Sequence, residues 1–154
     1  MAATIELLST QHQDVLARLA TVEAQIMARD GCDLAAFAAY LETEVGQHFV
    51  IEEQALFPLL ARYLGEDDGP LAVMNTEHAA FRELLAALTT AVRSGQSDAQ
   101  RARAGELVQL LRAHIAKEDQ VLFPMAARLL SEAEQGDVDR RAAALTTAPV
   151  GATA

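Results

Sequence analysis

Residues 48–58 read HFVIEEQALFP and residues 114–124 read HIAKEDQVLFP, an interval of 66 positions. Extending the comparison to residues 48–64 against 114–130 gives 9 identities in 17 without a gap: His, Glu, Gln, Leu, Phe, Pro, Ala, Arg and Leu. The same interval relates His12 to His78, so all 4 histidines of the chain obey it, and it carries Glu52 onto Glu118. A repeat of this kind marks a duplicated structural unit. Alanine, leucine, glutamine, glutamate and arginine fill the sequence, apolar residues recur at three- and four-residue spacing, and strand signals are nearly absent. The expected fold is all-α: two duplicated helical hairpins packed face to face as an up-down-up-down four-helix bundle, followed by a C-terminal extension.

Helix boundaries follow from local chemistry. Thr4 can cap a first helix carrying Ile5, Leu8, Val15, Leu19, Val22 and Ile26, which Asp30-Gly31 would end. Asp33 can cap a second helix running to about Leu64, where Gly65 and the EDDG stretch make a turn. Pro70 suits the first position of a third helix ending near Ser94-Gly95, and Asp98 opens a fourth that reaches about Leu130. Pro58 and Pro124 fall late in the second and fourth helices and should bend them, because proline lacks the donor for the i→i−4 bond. Met27, Met74 and Met125 read as core filler. The bundle is expected to span residues 1–131. Residues 132–154 form the extension, in which SEAEQGDVDRRAAAL makes a short amphipathic helix and TTAPVGATA has too little to bury to be ordered.

Length and charge narrow the function. A chain of 154 residues is the size of one domain. Its formal net charge of −10 argues against a nucleic-acid partner, since affinity for a phosphate backbone rests on Lys and Arg. No uncharged apolar run approaches the ~20 residues needed to cross a bilayer, so no membrane partner is expected. The start, MAATIELLST, lacks a basic segment followed by an apolar one, and the single cysteine, Cys32, can form no internal disulfide. A cytoplasmic location is expected, with Cys32 incidental in the first interhelical turn.

The chemistry lies in the repeat. Residues four apart share a helix face, so His48/Glu52 and His114/Glu118 each point an imidazole and a carboxylate the same way. Their apolar neighbours, Phe49, Leu56, Phe57, Leu59, Ile115, Leu122 and Phe123, make that direction inward. His12 sits among Leu8, Val15, Leu16 and Leu19, and His78 among Met74, Phe81 and Leu85. A lone histidine on an apolar face is more often a core or surface residue than a ligand. Four histidines and two glutamates converging in one core are a different matter, because two buried carboxylates need neutralising and a metal centre does this where solvent cannot. Six donors are too many for one tetrahedral zinc and suit two metals, each with two histidines and both glutamates as bridges. Mixed imidazole and carboxylate ligation with open positions is what redox-active non-haem iron uses, although manganese and zinc can occupy similar donors.

The set His12, His48-x-x-x-Glu52, His78 and His114-x-x-x-Glu118 resembles the hemerythrin-like, or HHE cation-binding, family over about residues 5–131. The resemblance implies two iron ions cycling between Fe2+ and Fe3+, held between four helices and bridged by two carboxylates and an oxo or hydroxo group. The ferritin-like di-iron proteins use Glu-x-x-His, a spacing absent here. Oxygen-carrying hemerythrins have five histidines, a third-helix HxxxH and an aspartate bridge. Here Arg82 stands four after His78, the second bridge is Glu118, and a fifth histidine is missing. Both metals should then be accessible, which favours reaction with nitric oxide, peroxide or dioxygen, or exchange of the metal, over reversible oxygen carriage.

The duplication is broken on one side. Tyr40, Glu44, His48 and Glu52 form one i,i+4 stripe, matched in the other half by Glu106, Leu110, His114 and Glu118, while Glu77 matches Gln11. In its extra carboxylates Glu44 and Glu77 the sequence is similar to the di-iron proteins linked with iron–sulfur centre repair and nitrosative stress, which carry a further N-terminal domain with a cysteine motif not found here. Glu44 and Glu77 are candidates to act behind the ligands as bases or steps on a metal or proton path, and Tyr40 as a hydrogen-bond or radical partner. The expected activity is inner-sphere reaction with a small redox ligand, catalase-like with peroxide or reductive with nitric oxide, served by a reductase. A different class fits the same residues: a module that senses, sequesters or donates iron to an acceptor protein without turnover.

Overall fold

The computed structural model describes residues 1–28 and 33–147. Five helices account for nearly all of them, and no strand occurs among the described residues. Helix α1 spans Ala3–Met27, α2 spans 35–64, α3 spans Pro70–Arg93, α4 spans 97–129 and α5 spans Glu132–Thr147. The first four form the expected up-down-up-down bundle. The expected end of α1 at Asp30-Gly31, Cys32, and the tail from residue 148 lie outside the described residues.

Two apolar clusters divide the bundle interior along its axis. One contains Ile5 and Leu8 of α1, Ile51, Leu56 and Leu60 of α2, Leu71 and Met74 of α3, and Leu122, Phe123 and Ala126 of α4. The other contains Val15, Leu19 and Val22, then Phe37, Leu41 and Val45, then Phe81 and Leu88, then Leu107 and Leu111. Along α1 and α3 the chain passes from the first cluster to the second, and along α2 and α4 it passes back. Each helix carries its histidine, and α2 and α4 their glutamate, at the boundary between the clusters. A polar layer is thereby sealed above and below by close-packed hydrocarbon.

Proline is accommodated where the repeat requires it. The α-helix of α2 widens into a π turn over Glu52–Leu56, so that the N–H of Phe57 reaches the carbonyl of Glu52, five residues back. The same happens in α4 over Glu118–Leu122, where the N–H of Phe123 reaches Glu118. Pro58 and Pro124 follow at once, each near the start of a fresh α-helical turn where a missing donor costs little. Both π turns begin at a glutamate of the repeated motif. A further π turn over Leu41–Val45 has no counterpart in the second hairpin.

Several terminal contacts differ from the local reading. Thr4 does not cap α1. It lies inside the helix, and the terminus is satisfied by Asp139 of α5, whose Oδ1 accepts from the Thr4 N–H (2.8 Å) and hydroxyl (2.6 Å) and whose Oδ2 accepts from the Ala3 N–H (3.3 Å). A tertiary carboxylate has replaced the local cap. Asp33 does bond the second helix, accepting from the Ala35 N–H at 3.0 Å. Helix α5 starts with a reciprocal capping box: the Ser131 hydroxyl accepts from the Glu134 N–H (3.2 Å), and the Glu134 carboxylate accepts from the Ser131 N–H (2.9 Å). It packs Val138 and Ala142 onto the first apolar cluster and continues through Thr146 and Thr147, further than composition implied. Met74 is buried, whereas Met27 is 79% exposed at the end of α1 and fills no core.

Candidate metal centre

His12, His48, Glu52, His78, His114 and Glu118 meet in the polar layer, none more than 4% exposed. They fall into two overlapping groups, His12, His48, Glu52 and Glu118, and Glu52, His78, His114 and Glu118. In each group the ligand atoms lie within 4.8 Å of one another. The glutamates are shared by direction as well as position. Glu118 turns Oε2 to His12 Nε2 (3.1 Å) and Oε1 to His114 Nε2 (3.1 Å). Glu52 turns Oε1 to His48 Nε2 (3.1 Å) and Oε2 to His78 Nε2 (3.2 Å).

Those contacts are close, yet both oxygens of Glu52 and Glu118 and the Nε2 atoms of His78 and His114 lack a partner in hydrogen-bond geometry. Six buried polar atoms without partners, converging on two points, would be a severe desolvation cost in a finished core. Cations at those points remove it, and the donor set of imidazoles and carboxylates fits a pair of metal ions.

The protonation pattern of the metal-free protein has the same origin. Burial and the opposed Glu118 carboxylate push the Glu52 carboxyl up to about 8. Burial acts on Glu118 likewise, but the close His114 and His12 rings outweigh it and hold Glu118 well below the usual carboxylate range. Burial, with the His12 imidazole next to it, drives His48 down to about 3. Against the same burial, Glu118, Glu52 and Glu77 raise His114 to about 9. Two positions equivalent in the repeat, His48 and His114, are thus displaced in opposite directions.

Every imidazole is oriented from behind. The Nδ1 atoms of His12, His48, His78 and His114 meet Asp119 (2.8 Å), Gln11 (2.9 Å), Glu53 (2.7 Å) and Glu77 (2.7 Å) respectively. All four partners fix the ring, and the three carboxylates also fix its tautomer, leaving Nε2 free to face a metal. The backing contacts also keep the 66-residue interval: Glu53 maps onto Asp119 and Gln11 onto Glu77. Glu77 stands behind the His114 imidazole and is paired outwards with Lys117. Glu53, Asp119 and Gln11 were not singled out from sequence, although the interval relates them.

Glu44 and Tyr40 stand apart from the ligand atoms. They line a cavity of about 220 Å³ with Gln11, Asp14, Val15 and His48, and Tyr40 lies under the Arg18 guanidinium at 4.9 Å. Burial, Asp14 and Glu44 raise the Tyr40 hydroxyl above its ordinary value. A second, much smaller cavity of about 10 Å³, room for the centre of one water-sized molecule, is bounded by His12, Val15, Val45, His48, Phe49, Leu111, His114 and Ile115. Phe49 also stacks on His78 at 3.7 Å between ring centroids, and Phe57 covers it at 5.7 Å.

Comparison with known proteins agrees with this geometry. The family described as Hemerythrin HHE cation binding domain matches residues 3–126. Proteins described as iron-sulfur cluster repair protein YtfE are similar to the chain over 102 residues, 60% of this chain and 46% of theirs. Identity is 35% for the protein of Enterobacter sp. (strain 638), and 30% for those of Citrobacter koseri and Escherichia coli O1:K1 / APEC. The chain spans about half the length of these curated relatives. No solved structure matches it. No helix among the described residues is long and apolar enough to cross a membrane.

Proposed function

The chain belongs to the hemerythrin HHE cation-binding domain family, and from that premise we propose that it is a non-haem di-iron protein that reacts with nitric oxide, peroxide or dioxygen under oxidative or nitrosative stress in the cytoplasm. The observation that carries the reading is the convergence of buried, unpartnered carboxylate and imidazole atoms on two adjacent points. His12 and His48 would hold one ion, His78 and His114 the other, with Glu52 and Glu118 shared. Iron bound there supplies the electrons for inner-sphere reduction of a small ligand, and manganese or zinc would fill the donors without serving that role equally.

The residues of the chain supply the rest. Glu52 and Glu118 offset the charge of the cations, Asp119, Glu53 and Glu77 hold the protons of the His12, His78 and His114 imidazoles on Nδ1, away from the centre, and Gln11 orients the His48 ring. The two apolar clusters keep bulk water from the layer. The about 10 Å³ cavity beside His12, His48 and His114 favours ligands of two or three atoms. We propose residues 1–131 as the functional unit, with the helix from 132 bracing its end.

Iron donation without turnover is favoured by a separate observation, the larger cavity that brings Asp14 and Glu44 beside His48. The resemblance to proteins named for iron-sulfur cluster repair suits either reading. Stopped-flow mixing of anaerobic ferrous protein with nitric oxide or peroxide separates them. Rapid oxidation of the iron, repeated when a reductant or reductase is supplied and lost in His48→Ala, is the expected result. Retention of ferrous iron with its prompt transfer to a metal-free acceptor would replace catalysis by donation.

A further inference from the structure

The two halves of the centre are not equally backed. Three imidazoles give their Nδ1 proton to a carboxylate, Asp119, Glu53 or Glu77, whereas His48 alone faces an amide, Gln11. A carboxylate can only accept, so it holds its imidazole with the proton on Nδ1 and the lone pair on Nε2, and it makes that lone pair a stronger donor. The Gln11 amide accepts through its oxygen and, turned over, donates through its nitrogen, so it does not enforce the tautomer that ligation needs. The consequence is visible at His12 and His48, whose Nε2 atoms lie 3.2 Å apart. A hydrogen bond there needs a proton on one Nε2. The permissive amide behind His48 allows that ring to carry its proton on Nε2.

Other differences point the same way. Arg82 binds Glu53 through two contacts of 2.9 and 3.0 Å, and Lys117 binds Glu77, which fixes both carboxylates behind the His78 and His114 pair. These cations are half-exposed, 50% and 48%, so solvent screens most of the charge they would subtract. Behind the other pair Asp119 has, besides His12, the Ser9 hydroxyl (3.2 Å) as its one further partner among the described residues, and Gln11 borders the 220 Å³ cavity with Asp14, Glu44 and His48. His78 is stacked by Phe49 and Phe57, whereas His12 is stacked by Phe123, the counterpart of Phe57. At the position equivalent to Phe49 the second hairpin carries Ile115, which has no ring to stack on a histidine.

Resting on the two-metal reading, we infer that Gln11 is a positioning residue that makes the centre unequal: the His78 and His114 position fills first and holds its ion, and the His12 and His48 position is the weaker, exchangeable one. Loss of an orienting partner behind a histidine ligand changes metal affinity about 10- to 100-fold, which sets the expected separation over and above repulsion between the ions.

The test is anaerobic titration of the metal-free full chain with ferrous iron, counting ions by native mass spectrometry and obtaining the two stepwise constants by chelator competition. In the parent, a singly loaded form accumulates. Gln11→Glu strengthens the second step about 10- to 100-fold and leaves the first within about twofold, while Glu77→Gln weakens the first step by a similar factor and leaves the second within about twofold. The double exchange, Gln11→Glu with Glu77→Gln, restores the parent separation. A structural disturbance would not produce this selectivity. If Gln11→Glu changes neither step, or Glu77→Gln weakens both alike, the inference is wrong. A parent chain that binds fewer than two ions defeats the two-metal reading itself, and the ion count alone distinguishes that failure.

Discussion

Replacing Glu52 by glutamine should have opposite effects on the metal-free and metal-loaded protein. Glu52 is fully buried, neither carboxylate oxygen has a hydrogen-bond partner, and burial with the facing Glu118 raises its pKa from 4.5 to about 8. Because the folded value lies above the unfolded one, folding is opposed progressively as pH rises from 4.5 towards 8. At pH 7 the unfolded carboxyl is about 2.5 pH units above its pKa while the folded one is still protonated, a cost of about 3 kcal/mol at about 1.36 kcal/mol per unit. At pH 5 the same linkage leaves about 1 kcal/mol. Glutamine keeps the shape and does not ionise, so metal-free Glu52→Gln should be more stable than the parent by about 3 kcal/mol at pH 7, or about 6–12 °C in Tm. With ferrous iron present the order reverses, since a saturating ligand at about 100 times its Kd contributes about 2.7 kcal/mol per site to the parent and the variant has lost a shared carboxylate. Denaturant unfolding at pH 5 and 7, in chelator and in iron, measures all four quantities. A metal-free variant less stable than the parent at pH 7, or with the same pH slope, would refute the desolvation argument.

Metal affinity should rise steeply with pH. At pH 7 Glu52 and His114, with values near 8 and 9, hold protons that a cation must displace. Chelator competition between pH 6.5 and 8 is expected to show about a tenfold gain per pH unit for each of these protons, and a flat profile would contradict it. Asp139→Ala removes the acceptor for three donors at the start of α1. It should cost about 1 kcal/mol and lower Tm by about 2–4 °C without changing iron stoichiometry, as thermal unfolding and metal analysis would show. Phe49→Ala opens a void against His78, Phe81 and His114. A loss of about 3–5 kcal/mol in denaturant unfolding is expected, larger than for the half-exposed Tyr63→Ala.

The convergence of six side chains was legible because duplication preserved it: one interval relates His12 to His78, His48 to His114 and Glu52 to Glu118, and four-residue spacing places each His/Glu pair on one face. Chain direction was legible for the same reason, since two duplicated helical hairpins packed face to face give an up-down-up-down order. Glu53 and Asp119 were missed because a residue adjacent to a ligand points off its face. Their partners, His78 and His12, come from other helices, and no spacing rule spans 25 or 107 positions. Asp139 reaches Thr4 across 135 residues, which left Thr4 looking like a local cap. The π turns were foreshadowed only by the prolines that follow them. Helix α5 read as a short amphipathic helix and buries Val138 and Ala142, and Met27 shows that helical spacing alone does not bury a side chain beyond the last packed turn.

The most direct test of the central claim is the metal content, by mass spectrometry, of the chain purified without added metal and again after anaerobic reconstitution with ferrous iron. The account predicts two irons per chain, falling when Glu52 or Glu118 is replaced by glutamine. One zinc per chain, or no bound metal after reconstitution, would contradict it.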